Sequence, residues 1–369
     1  MKAVFLVIVV MHGLIHLLGF SKAFKIYDIN ELTLPISKTF GIIWAGAALL
    51  FLVYAFALIM DSSYDWVVGL LAILASQFLV ITFWTDARFG TAGNAIILLS
   101  VVASYGEFAF NNLLKNDMSE IMLASAPLQA GILTETASNQ LPEPVRKWLF
   151  STGAVGKAHI YAGWVDQKAR IKMKPGQKKW YRAHAVQYTD LNTPAFIWSV
   201  DMAMYKLLRF KGIDKFNKGK GSMLIKLNGL LPIVNEQGDK LDQGTIQRYL
   251  GEMVWFPTLA ISPYIKWEQV DEHSARAVMS YKGTTGSGTF YFNEAGDFVK
   301  FTAMRYMENK PNAKLLKWVL TTDEYAVFEG IKVPSKMNAS WELDDGCWTW
   351  LELEIVNIKY NEKIQQPLL

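Results

Sequence analysis

A chain of 369 residues that is 51% hydrophobic and only 19% charged is too apolar for one ordinary soluble domain, and its net charge of +4 is unevenly placed. Residues 1–118 carry 6 Lys/Arg and 7 Asp/Glu, whereas residues 119–369 carry 31 and 26, so an apolar part precedes an ordinary globular one. The one cysteine, Cys347, excludes an intramolecular disulfide and a thiolate zinc site, and reads as a free core thiol.

Crossing a bilayer takes about 20 apolar residues in a helix, and four stretches qualify: about 3–21, 40–60, 66–85 and 92–113. The first follows Lys2 but lacks a small-residue cleavage site, so it reads as a retained span. Lys22, Lys25 and Lys38 in the first loop and Arg88 in the third outweigh Lys2 and Lys115. This predicts charged loops on the cytoplasmic side of a bacterial inner membrane and both termini outside. Trp44, Trp66 and Trp84 lie near span ends and read as interfacial anchors. Inside the spans, His12 and His16 are four residues apart and share a helix face. They could ligate haem or a metal, relay protons, or bond to neighbouring helices through Gln77, Asn94 or Glu107. Gly13 stands where an H-E-x-x-H zinc protease has its glutamate, which excludes that chemistry.

Residues 115–141 read as a connector, and "LPEPVRKWLF" as a short helix with Pro144 in its first turn. Beyond it, β-branched and aromatic stretches alternate with turn residues, as where Leu351, Leu353 and Ile355 interleave with Glu352 and Glu354. An antiparallel sheet of 8 to 11 strands is expected, with a hairpin at "NEAGD". No long helices alternate with these strands, which argues against a doubly wound nucleotide fold. "NKGKGSM" and "YKGTTGSGTF" match no phosphate loop and read as hairpin turns. The run Lys206–Lys226 holds seven Lys/Arg and one Asp, a solvated face or a contact for anionic headgroups.

In "DQGTIQRYLGEMVWFPT" (242–258) a helix over Gln243–Val254 would carry an apolar stripe of Ile246, Leu250 and Met253 or Val254. Arg248 and Glu252 would pair at i, i+4 on another face, and Pro257 would stop it. Ending in Trp255 and Phe256, such a helix would plug the concave side of a curved sheet. The predicted architecture is a four-helix transmembrane domain (1–114), a connector (115–141) and an α+β domain (142–369). That last domain is dominated by a curved, half-barrel-like antiparallel sheet with a helix on its concave face.

The blocks "LPEPVRKWL", "YRAHAVQY", "GKGSMLIKLNGLLPIV", "DQGTIQRYLGEMVWFPT", "IKWEQVDEHSARAVMSYKG" and "FTAMRYM" resemble a bacterial family catalogued as a domain of unknown function. Some members of that family carry an N-terminal membrane segment. The resemblance spans roughly residues 140–360 and implies kinship without an activity. In architecture the pattern is similar to envelope lipoprotein carriers with a half-barrel fold.

The functional expectation is a non-enzymatic envelope protein whose β-rich domain binds a lipid, another hydrophobic ligand or a lipidated protein; nucleic acid is not an expected partner. Candidate ligand contacts are Arg182 and His184 on one strand face, Arg248, Glu252, Trp255, Phe256, and the adjacent Arg305 and Tyr306. No nucleophile elbow or metal-ligand spacing accompanies His159, His184 or His273. Two alternatives stand: an envelope enzyme or redox module, with haem at His12/His16 or a cleft joining His184 to Arg248 and Glu252, and a scaffolding subunit of a membrane complex.

Overall fold

The computed structural model describes residues 2–124, 131–205 and 208–362. It divides into two units, Met1–Asn111 and Asn112–Leu369.

In the first unit, α1 (Lys2–Ala23), α2 (Lys38–Ile59), α3 (Asp65–Thr82) and α5 (Gly90–Ala124) are each long and apolar enough to cross a membrane, and the short α4 (Trp84–Ala87) sits before α5. Small residues let α1 and α2 approach closely: a Cβ on Gly19 would lie 2.2 Å from the Trp44 ring. Trp44 is therefore an interior packing residue, 4% exposed, and not the interfacial anchor its position implied; Trp84 does stay exposed, at 53%. The first part of the expected linker or helical connector, from 115, is helical: α5 runs on through Ala124. Residues 125–130 of that connector lie outside the described residues. Its remainder holds α6 (Glu135–Ser138) and leads to α7 (Glu143–Ser151), the helix with Pro144 in its first turn.

The second unit holds one antiparallel sheet of thirteen strands among the described residues, more than the 8 to 11 expected. The first meander is β1 (Ala162–Ile171), β2 (Tyr181–Asp190), β3 (Ala195–Tyr205), β4 (Leu208–Asn217), β5 (Lys220–Leu227) and β6 (Leu231–Gln237). The second is β7 (Ile265–Asp271), β8 (Ser274–Tyr281), β9 (Thr284–Phe292), β10 (Phe298–Tyr306), β11 (Leu315–Phe328), β12 (Ile331–Leu343) and β13 (Gly346–Tyr360). The two meanders join where β1 pairs with β13, which leaves β6 and β7 as the two edges. Tight turns link the hairpins: Lys218–Gly219 and Lys282–Gly283 both have positive φ at both positions, the geometry that matches strand twist. Bulges at Asp166/Gln167 and Ala339/Ser340 add curvature. The curl brings the β4–β5 turn against the start of β9, where Thr284 Oγ1 donates to the Gly219 carbonyl at 2.6 Å.

Because β6 and β7 are opposite edges, the chain between them must cross the hollow of the sheet. It does so as α8 (Asp239–Gly251) followed by 3-10 turns at Glu252–Trp255 and Pro257–Ile261. The helix begins four residues earlier than expected and tightens at Glu252, short of Pro257. Ile246, Leu250, Met253 and Val254 are fully buried, and Trp255 and Phe256 are 1% exposed. The helix thus plugs the concave side with core side chains, as its sequence implied. Truncating Phe256 to alanine would remove about 3–5 kcal/mol of that packing.

Cys347, expected in the core, is exposed at the start of β13, where its partner in register is Glu342 beside the β12–β13 turn. An impermeant maleimide is expected to modify the folded, purified protein without denaturant. Labelling only after unfolding would contradict this placement.

Candidate ligand site on the concave face

The concave face can be assigned strand by strand from pairing and from contact with α8. Arg248 projects from α8 onto it. Its Nε donates to Glu252 Oε1 at 2.7 Å, Nη1 to Asp214 Oδ2 at 2.6 Å and Nη2 to Gln187 Oε1 at 3.0 Å. Gln187 Nε2 closes the ring by donating to Glu252 Oε2 at 2.7 Å. The guanidinium carbon lies 4.9 Å from both the Phe196 and Trp198 ring centres. Burial alone would lower the Arg248 pKa, but the Glu252 and Asp214 charges outweigh it and the net shift is upward. The expected Arg248–Glu252 pair is present, joined by Asp214 and Gln187, which sequence spacing could not reveal because they come from β4 and β2.

Towards the open end of the hollow, Trp348 pairs with Trp341, Trp341 with Trp318, and Trp318 with Ala303, which sets three indoles side by side on one row. Arg305, two residues on from Ala303, shares that face, and its guanidinium carbon lies 4.8 Å from the Trp318 ring centre. The half-buried Arg305 side chain makes no hydrogen bond or ion pair among the described residues. Desolvation pulls its pKa down to about 10, with the Arg248 charge adding to the fall and Asp214 and Glu252 opposing it. The buried indole N–H groups of Trp318, Trp348 and Trp350 also have no acceptor, and Asp214 Oδ1 has no donor. Leu316, opposite Arg305 in register, and Leu343, two residues on from Trp341, are half-buried apolar residues of the same face. The concave face thus sets a partly desolvated cation and unpaired indole donors beside apolar surface.

Other expected contacts lie elsewhere. His184 is exposed and its Nε2 sits 2.6 Å from Asp166 Oδ1. Alternation along β2 puts His184 and Arg182 on the convex face, opposite Gln187, so the cleft joining His184 to Arg248 and Glu252 does not form. Trp255 donates Nε1–H to the Pro334 carbonyl and Phe256 packs edge-on to Tyr360, so both are core groups. Tyr306 points away from Arg305, with the Lys240 ammonium 5.0 Å from its ring centre. The basic run is largely neutralised internally: Lys211 pairs with Asp201, Lys215 with Asp117, Lys218 with Glu120 and Lys220 with Asp242. Lys206, at its start, lies outside the described residues.

In the first unit His12 and His16 enter a polar chain. His16 Nδ1–H donates to the His12 carbonyl at 2.8 Å, and its Nε2 meets the Ser76 hydroxyl at 2.9 Å. Asn94 Nδ2 donates to Gln77 Oε1 at 3.0 Å, which leaves Asn94 Oδ1 to accept from His12 Nε2–H at 2.9 Å. Gln77 Nε2 donates onward to Thr91 at 3.3 Å. Ligation of a metal or haem by His16 would displace one of its two bonds. Glu107 stands apart from this chain and accepts from Asn111 one turn away.

A crystal structure of a LolA superfamily protein from Nitrosomonas europaea is similar at 11% identity with a TM-score of 0.33, over 60% of this chain and 94% of that one. No curated protein matches the chain. Residues 131–353 match the family of unknown function DUF6544, and the chain belongs to that family.

Proposed function

We propose that this is a membrane-anchored protein of the bacterial envelope whose β-rich unit binds an amphipathic, acidic ligand, a lipid or fatty acid, at the open end of its concave face. The supporting observation is Arg305: a desolvated cation without a bonded counter-charge, stacked on Trp318 beside indole N–H groups that lack acceptors. A carboxylate or phosphate head would satisfy these donors, and the apolar residues around them would cover its chain. The ligand sits on the exposed half of the hollow, since α8 and its 3-10 turns fill the rest. The charge bias of the loops supports placing this unit outside the cytoplasm.

Native mass spectrometry of the protein from mild detergent is expected to show a bound lipid-sized mass, and titration of delipidated protein with oleate is expected to saturate. Oleate binding that never saturates, or that neutral monoolein matches, would sink the reading. Maleimide labelling of the exposed Cys347 in intact spheroplasts tests the side: protection there, with labelling after lysis, would place the unit in the cytoplasm.

A further inference from the structure

The second candidate site lies on the opposite, convex face, where the sheet comes apart. Antiparallel pairing between β9 and β10 runs from Phe292↔Phe298 only to Thr289↔Thr302. Yet β9 extends back to Thr284 and β10 on to Tyr306, each still paired on its other side with β8 or β11. Over the parted strands lies a groove of about 520 Å³, within the size range of ligand sites. Its floor is α8, seen through the gap.

What holds the gap is an amide. Gln247, 3% exposed, reaches from α8 between the strands and donates Nε2–H to the Met304 carbonyl at 2.9 Å and the Ser287 carbonyl at 3.3 Å. In a continued ladder the main chains of Ser287 and Met304 would bond to one another. Here a side-chain amide takes the place a strand's own N–H would occupy. Flipping it would set an acceptor against two carbonyl oxygens, so the orientation is fixed. Its Oε1, turned the other way, is buried and has no donor. Gly286 permits this approach, since a Cβ there would lie 2.9 Å from the Gln247 side chain.

The groove is built for main chain with alternating side chains. Val278, Met304 and Leu315 give it apolar patches, and Ser287 and Thr289 give it hydroxyls. Its charged groups are both cationic: Arg276, which has no ion pair among the described residues, and Lys317, shared with Glu342 at 3.0 Å. A small anion would use the cations but leave the strand edges unanswered. A neutral apolar chain would answer neither. We infer that this groove binds an extended, acidic polypeptide segment of a partner protein, which lays its main chain along the parted strands and offers a carboxylate to Arg276.

The test uses the full chain in lipid nanodiscs, panned against a displayed library of random nonapeptides. Peptides with alternating apolar and acidic residues are expected to be enriched over empty nanodiscs. Their affinity should fall at least tenfold on Arg276→Glu, an exposed change that leaves the melting temperature in place, and tenfold or more when alternate peptide nitrogens are methylated. Arg305→Met, on the other face, should leave it unchanged. No enrichment, indifference to N-methylation, or full displacement by free glutamate at millimolar concentration would each overturn the proposal, the last by assigning the groove to a small anion.

Discussion

Arg305→Met is expected to weaken oleate binding by about ten- to a hundredfold while raising the melting temperature of the ligand-free protein. The two effects have one cause. The half-buried Arg305 has neither a hydrogen bond nor an ion pair among the described residues, and partly desolvating such a cation costs the fold stability. Methionine keeps most of the apolar stem against Trp318 and removes the charge, an exchange that is neutral to stabilising by a few kcal/mol in comparable buried sites. An acidic ligand bonded to the guanidinium would lose about 1.5–3 kcal/mol of charged hydrogen bonding, which sets the fold-change. The pH dependence has a definite sign. Folding lowers the Arg305 pKa from its ordinary value to about 10, so above pH 10 the unfolded chain holds more protons and the wild type gains stability with rising pH. The stability gap between variant and wild type should therefore narrow above pH 10, and wild-type oleate affinity should fall over the same range. Melts and titrations at pH 8 and pH 11 read both. A variant that melts lower and binds oleate as before would show that Arg305 is a structural residue.

Arg248→Met should act in the opposite sense, costing about 3–5 kcal/mol, because it strands two carboxylates that share one cation in a buried site. Side chains of Arg248, Asp214 and Glu252 are only 13%, 12% and 10% exposed, so water cannot readily replace the lost partner. Neutralising all three together, in Arg248→Met with Asp214→Asn and Glu252→Gln, should recover most of the loss, since Glu252→Gln can keep its bond to Gln187 and neither amide needs a counter-charge. Denaturant melts of the single and triple variants decide this. If the single variant unfolds at wild-type denaturant, the cluster is not buried in the way described.

The sequence disclosed the parts whose signal is local. Four apolar runs gave α1, α2, α3 and α5, and the spacing of Ile246, Leu250 and Met253 gave the buried stripe of α8. The i, i+4 relation of Arg248 and Glu252 survived even though Glu252 lies in a 3-10 turn. What it could not disclose depends on register. Asp214 and Gln187 reach Arg248 only because β4, β3 and β2 align Asp214 with Trp198 and Trp198 with Gln187. The row Trp348–Trp341–Trp318 exists only across three strands, although "CWTW" and "ASWEL" already offered the indoles. His184 misled because period-two alternation tells which residues share a face, not which face is hollow. Cys347 misled because a turn residue beside Trp348 looks apolar in composition and is solvent-facing in position.

The seam between β1 and β13 has a consequence for how the polypeptide acquires its shape. Within this sheet β1 pairs with β13, across contacts such as Gly163↔Tyr360, nearly two hundred positions apart. Each meander can zip up by itself, but neither can curl around α8 until that late strand arrives, and such distant pairings form slowly. Until then the greasy inner faces of two half-finished ribbons stand open, so nascent chains should be most prone to clump, and most dependent on a holding chaperone, before β13 emerges.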